Sequence, residues 1–176
     1  MLPDELRNRA RRVKLLVLDV DGVLTDGTLY FSAAGEELKA FNIRDGLGVK
    51  MLRNGGVEVA IITGRSSQAV QRRAENLGIS RVQQGVEHKL AAFTELLREL
   101  ALPPEQAACV GDDLPDLPLL RLCGLAVTVP EAPLYVRAAA HYVTSAGGGR
   151  GAVREVCELI LQTQGSLEAQ IAAYSR

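Results

Sequence analysis

The feature that most constrains this chain is a set of short apolar runs, each ending in a polar or glycine-rich turn. Residues 15–20 (LLVLDV), 57–63 (VEVAIIT), 107–110 (AACV) and 125–129 (LAVTV) are shorter than ordinary helices and carry little polar alternation. Such runs read as strands covered on both faces, the pattern of a parallel sheet. Residues 82–84 and 142–143 are candidates for shorter edge strands. Helical patterns fill the intervals. Residues 47–54 close at Gly55, 66–77 open on Ser66 and close at Gly78, and 89–100 place Leu90, Phe93, Leu96, Leu97 and Leu100 near helical spacing. Residues 114–122 and 152–163 complete the set. Strand and helix alternate, which predicts an α/β fold with a doubly wound parallel sheet.

One stretch departs from the alternation. Residues 28–31 and 37–41 read as two short strands about a turn containing Gly35, so a β-hairpin flap over about 28–41 is expected beyond the first strand. No repeat, low-complexity tract or linker divides residues 1–176, and a single domain is expected. The tail, 164–176, reads equally as a loose helix or as extended chain.

Charge and cysteine content narrow the classes of function. A formal net charge of −1 gives no field for nucleic acid or an anionic membrane, and the cluster Arg7, Arg9, Arg11, Arg12 reads as a solvated helix face. Neither partner is expected. Cys109, Cys123 and Cys157 are far apart, and with His88 and His141 they make neither a zinc site nor a disulfide framework. No apolar run reaches the roughly 18 residues of a membrane span, and the charged opening MLPDELRNRARR is unlike a secretion signal. A cytoplasmic protein is expected.

In open α/β sheets ligands bind beyond the carboxyl ends of the strands, so the residues that follow each run are the place to look. They are Asp19-Val20-Asp21-Gly22, Thr63-Gly64-Arg65, Lys89 at a helix start, and Gly111-Asp112-Asp113 with Asp116 a helical turn later. Clustered carboxylates repel one another and call for a cation, and oxygen ligands select a hard one such as Mg2+. The cation would in turn admit a phosphate that the acids alone would repel. Thr63 and Lys89 suit the remaining phosphoryl oxygens. Of Asp19 and Asp21, one can attack phosphorus while the other serves the leaving oxygen. The pattern GGGRGA at 147–152 matches a loose dinucleotide-binding pattern but lacks the strand and acid that should follow it. It reads instead as a flexible loop carrying Arg150. No GxxxxGK[ST] is present.

Four motifs, in order, carry a resemblance. DVDGVLTDG at 19–27, IITGR at 61–65, Lys89, and GDDLPD at 111–116 resemble motifs I to IV of the haloacid dehalogenase superfamily phosphatases. NIRDG at 42–46, GEELKAF at 35–41 and AGGGRGAVREV at 146–156 resemble the branch that hydrolyses phosphate monoesters of eight- or nine-carbon sugar acids. The resemblance implies a Rossmann-like fold with a small flap in place of a cap domain. It implies a homotetramer in which the C-terminal tail of one subunit helps close a neighbour's site. The substrate would be a phosphorylated sugar acid of lipopolysaccharide synthesis.

By the same resemblance, Asp19 is the nucleophile that becomes an aspartyl-phosphate, and Asp21 is general acid, then base. Mg2+ is held by the Asp19 carboxylate, the Asp21 main-chain carbonyl and Asp112, with Asp113 and Asp116 behind them orienting water and Lys89. Asn42, Ile43, Arg44, Asp45, Gly46, Lys50, Arg65, Arg73 and Lys89 match substrate-contact positions, beside Asp21 and Arg150. Lys50 departs from the arginine expected there and would lack a bidentate fork. A non-catalytic relative would be expected to have lost Asp19, Asp21 or Asp112, and all three are present. A phosphotransferase would call for a larger cap than the residues between Asp26 and Asn42 can build. The eight- and nine-carbon acids remain alternatives, beside a broader sugar-phosphate range.

Overall fold

The computed structural model of the chain describes residues 3–174. Its first strand, β1 (Leu15–Leu18), is buried at every position. Alternate side chains along a strand point to opposite faces. Leu16 and Leu18 join a core with Val59, Ile61, Ala108 and Val110, while Leu15 and Val17 join another with Ala60, Ile62, Ala107 and Cys109. A strand covered on both sides has no use for polar alternation, which is why the run is continuous.

The remaining elements follow in chain order. α1 (Asp4–Arg11) precedes β1; the hairpin strands β2 (Tyr30–Phe31) and β3 (Glu37–Leu38) and α2 (Ile43–Asn54) follow it. Then come β4 (Glu58–Ile62), α3 (Gln68–Leu77), β5 (Arg81–Gln83), α4 (Lys89–Glu99) and β6 (Ala107–Val110). α5 (Leu117–Leu122), β7 (Leu125–Thr128), α6 (Leu134–Arg137), β8 (Tyr142–Val143), α7 (Ala152–Thr163) and α8 (Leu167–Ala173) close the chain. The large sheet has the order β5-β4-β1-β6-β7-β8, and every pairing in it is parallel. α1, α2, α3 and α7 cover one face through residues such as Ala10, Leu52, Ala74 and Ile160. α4, α5 and α6 cover the other through Phe93, Leu120 and Val136.

The chain runs outward from β1 to β4 and β5, then returns to the far side of β1 for β6. The strand ends on either side of that reversal frame the crevice where such sheets hold ligands. Here the doubly wound α/β sheet with a hairpin flap is the fold that the sequence pattern predicts.

Several boundaries differ from the sequence reading; α3, for example, starts at Gln68 with Ser67 rather than Ser66 as its cap. α2 begins at Ile43 rather than at residue 47, because the Asn42 side chain accepts a hydrogen bond from the Arg44 amide (2.8 Å) and caps the helix there. Its first turn carries no apolar stripe to announce it; Ile43 is 82% exposed. Residues 114–122 split into a 3-10 turn, Leu114–Asp116, and α5, with a proline near the start of each. The hairpin strands are two residues each, shorter than the predicted 28–31 and 37–41. Of the tail, Leu167–Ala173 is helical, and Ser175 and Arg176 lie outside the described residues.

Candidate active site

Asp19 is the first residue beyond β1. Its amide donates to the Val110 carbonyl (3.0 Å), extending the β1–β6 ladder by one step and fixing the side chain at the sheet edge. The chain then turns sharply: the amides of Val23, Leu24 and Thr25 all converge on the Val20 carbonyl. Gly22 takes φ +91° in this turn, and a Cβ there would collide with the Asp112 carboxylate. Only glycine lets the loops after β1 and β6 approach so closely.

Asp116 ties the second loop together. Its Oδ2 accepts from the amides of Asp112 (3.1 Å) and Asp113 (3.3 Å), and its Oδ1 accepts from Lys89 Nζ (2.7 Å). Asp113 accepts from the Leu114 amide and so caps the 3-10 turn. Lys89 Nζ also lies 2.8 Å from Asp19 Oδ1 as an ion pair. Its aligned hydrogen bond goes to Asp116, and Asp19 Oδ1 has no aligned donor. Thr63 follows β4, held by its amide to Gln83 and by the Val86 amide donating to its carbonyl.

Charge is the dominant property of this site. Burial, with the Asp116 charge adding to it and Lys89 opposing, raises the pKa of Asp19 from 3.8 to about 6. Burial, then the charges of Asp19, Asp116 and Asp113, raises that of Asp112 to about 7. Burial works against the Lys89 ammonium, but Asp19 and Asp116 more than offset it, so its pKa is raised. Lys89 therefore stands among several carboxylates, and Asp19 and Asp112 resist ionising.

The donor set fits a hard divalent cation. Asp19, Asp112 and Asp116 each bring a carboxylate oxygen within 4.8 Å of the others. Both oxygens of Asp116 are committed to Lys89 and to backbone amides. Asp19 and Asp112 are the pair left to face an ion.

Asp19, Asp21, Thr63, Arg65, Lys89, Asp112, Asp113 and Asp116 line one pocket of about 450 Å³. The other sequence candidates do not line it. Asn42 donates through Nδ2 to the Gly149 carbonyl (3.2 Å), and Arg73 donates to the Asn42 carbonyl (2.9 Å) while stacking over Phe41. Burial lowers the pKa of Arg73, with Asp45 opposing. Asp45 is 1% exposed and turned inward, accepting from the amides of Gly151 (3.3 Å) and Arg154 (2.8 Å) at the start of α7. Gly46 sits against Arg73, where a Cβ would collide with the guanidinium. Ile43, Arg44 and Lys50 are exposed. Arg150 projects from the loop before α7, with Asp26 Oδ2 at 4.0 Å.

Other residues with a place here carry no role in the sequence reading. Lys39 contacts the Asp21 carboxylate, and Glu37 contacts both Lys39 and Arg65. They lie two apart at and just beyond β3, and the spacing alone does not say that they fold over Asp21. Thr128 Oγ1 donates to the Gly111 carbonyl (2.6 Å) and steadies the β6 loop. Glu155 gathers Tyr142 Oη (2.6 Å) and the amides of Ser145 and Ala146, anchoring the loop that ends at Gly151.

Known proteins resemble this chain over most of its length. Residues 43–124 match the sequence profile of the haloacid dehalogenase-like hydrolases. The 3-deoxy-D-manno-octulosonate 8-phosphate phosphatase of Escherichia coli K12 is 51% identical over 160 residues, 91% of this chain and 85% of that protein. The chain belongs to this family. The Moraxella catarrhalis phosphatase of the same name, crystallised with magnesium, phosphate and KDO, matches with a TM-score of 0.96 and 45% identity over 98% of this chain and 99% of that one. The cobalt-bound Haemophilus influenzae enzyme matches with a TM-score of 0.88 and 42% identity over 92% and 94%.

Proposed function

We propose that this chain hydrolyses 3-deoxy-D-manno-octulosonate 8-phosphate to the free sugar acid and phosphate, as a magnesium-dependent phosphoric monoester hydrolase of lipopolysaccharide synthesis. The observation that carries this reading is the buried Asp19, paired with Lys89 and facing Asp112 at the mouth of a polar pocket. A nucleophilic carboxylate, a fixed cation and a second carboxylate at one sheet edge suit phosphoryl transfer through the protein itself.

In this mechanism an Asp19 oxygen attacks phosphorus in line with the ester oxygen, whose bond to phosphorus breaks. Asp21 gives its proton to that oxygen, releasing the sugar and leaving an aspartyl-phosphate. Asp21, now a carboxylate, takes a proton from water, which attacks the phosphorus and frees Asp19 and phosphate. Lys89, held by Asp116, and the Thr63 hydroxyl stabilise the charge on the transferred oxygens. Magnesium, held by Asp19, Asp112 and the Asp21 carbonyl, would screen the incoming phosphate from the acids that surround it.

Of the remaining candidates, Arg65, Asn42, Arg44, Lys50, Arg73 and Arg150 serve the sugar acid in this proposal, while the buried Asp45 holds the start of α7. Arg65 borders the pocket and suits a carboxylate or phosphate. Asn42, Arg44, Lys50, Arg73 and Arg150 stand outside it, which suits a site shared between subunits of a homotetramer, with the tail beyond Gln164 near a neighbour's pocket. Phe31, Leu38 and Ile43, exposed on and beside the flap, would be covered in such an assembly. Among the described residues no helix is long and apolar enough to cross a membrane. The free thiols Cys109, Cys123 and Cys157 favour a cytoplasmic location.

The test is phosphate release from 3-deoxy-D-manno-octulosonate 8-phosphate, its nine-carbon analogue and common sugar phosphates, with and without magnesium. Selective, metal-dependent release that falls at least about a thousandfold in Asp19→Asn is the expected result. Preference for another ester would keep the chemistry and move the substrate. No release by folded protein would overturn the reading.

A further inference from the structure

The flap hides its charges and shows its oil. Phe31 and Leu38 are 62% and 54% exposed, whereas the Lys39 side chain is 2% exposed beneath the hairpin. An ammonium so buried is stable only when paired. Lys39 Nζ contacts Asp21 Oδ1 and lies 2.9 Å from Glu37 Oε1. Arg65 closes the circuit: Nη2 contacts Glu37 Oε2, and Nε is 3.9 Å from Asp21 Oδ2. Asp21, Lys39, Glu37 and Arg65 thus form a ring of alternating charge, in which the flap supplies one acid and one base.

We infer that Lys39 is a positioning residue for Asp21, delivered by the flap and held in place by Glu37. The inference rests on the proposed reading in which Asp21 moves the proton. Asp21 stands on a tight turn beside Gly22, and both cations that grip its carboxylate come from other segments. Neither Lys39 nor Glu37 lines the pocket, whereas Asp21 and Arg65 do. Lys39 therefore acts on the reaction through Asp21 rather than by touching substrate. With the flap seated, the Asp21 carboxylate is fixed in direction; with Lys39 truncated, only the longer Arg65 contact holds it and the ring keeps two acids against one cation. A carboxylate base that wanders slows the hydrolytic step without loosening substrate.

The experiment measures kcat and KM separately for phosphate release from 3-deoxy-D-manno-octulosonate 8-phosphate with magnesium, in wild type, Lys39→Met, Lys39→Arg and Glu37→Gln. Lys39→Met is expected to lower kcat by a factor of ten or more while KM stays within threefold. Lys39→Arg should recover most of the loss, and Glu37→Gln should lower kcat by a smaller factor. The hairpin lies outside the core, so the variants should keep the wild-type circular dichroism even where the melting temperature falls. An unchanged kcat in Lys39→Met, or a rise in KM with kcat kept, would overturn the inference while wild-type turnover left the proposed function standing. An inactive wild type would instead remove the proposed function on which the inference rests.

Discussion

Replacing Asp112 with asparagine should make the metal-free protein more stable and the enzyme inactive. Asp112 is an acid whose pKa in the folded chain is raised from 3.8 to about 7 by burial and by its neighbours Asp19, Asp116 and Asp113. A raised carboxyl pKa means that the folded state holds its proton longer than the unfolded state does. The resulting penalty is absent near pH 4, grows as pH rises, and is complete above about pH 7. At about 1.4 kcal/mol per pH unit the shift alone corresponds to roughly 4 kcal/mol. Partial exposure and repulsion shared with Asp19 reduce this to about 1–2 kcal/mol. At about 2–4 °C per kcal/mol, Asp112→Asn should melt roughly 2–8 °C above wild type at pH 8 in EDTA. The gain should shrink to a small fraction at pH 4.5. Millimolar magnesium should raise the wild-type midpoint and leave that of the variant unmoved. Calorimetry of both proteins, with and without metal, makes the comparison. A variant less stable than wild type at pH 8 in EDTA would refute the claim that Asp112 is held against its own electrostatics.

Two further substitutions probe the frame around the site. Gly22→Ala forces a side chain into positive φ and against Asp112, at a cost of about 1–3 kcal/mol; kcat/KM should fall at least about a hundredfold with the fold retained by circular dichroism. Glu155→Gln removes a charged acceptor from the amides of Ser145 and Ala146 and should cost about 2 kcal/mol, read as a lowered melting temperature. The same change should let Tyr142, raised to about 12 by burial and then by Glu155, titrate at lower pH in an ultraviolet titration.

The positions of the candidate site residues at the sheet edge were legible because they are local facts. A buried parallel strand must end at the sheet edge, and Asp19, Thr63 and Asp112 each stand within two residues of such an end. Lys89 was legible for a similar reason, as the first residue of a helix after β5. The pocket's surroundings were not. Asp45 has partners 106 and 109 residues away, and nothing near it in the sequence says that α7 will be there. Arg73 likewise has the pattern of a solvated helix face, yet it folds back onto Asn42 and Phe41. The start of α2 was hidden because its first turn depends on a cap rather than on an apolar stripe. Lys39 and Glu37 were visible as residues but not as a pair, since their meaning lies in how the hairpin folds over Asp21.

The loop before α7 rests directly on the turn that follows β1. The Gly149 amide donates to the Val23 carbonyl, and a Cβ at Gly148 would collide with the Gly22 carbonyl. The first part of the site to be synthesised is thus braced by a segment made more than a hundred residues later. A nascent chain carrying all four motifs but lacking residues beyond 146 has its chemistry without its scaffold. The turn after β1 gains this support only from a loop made well after all four motifs.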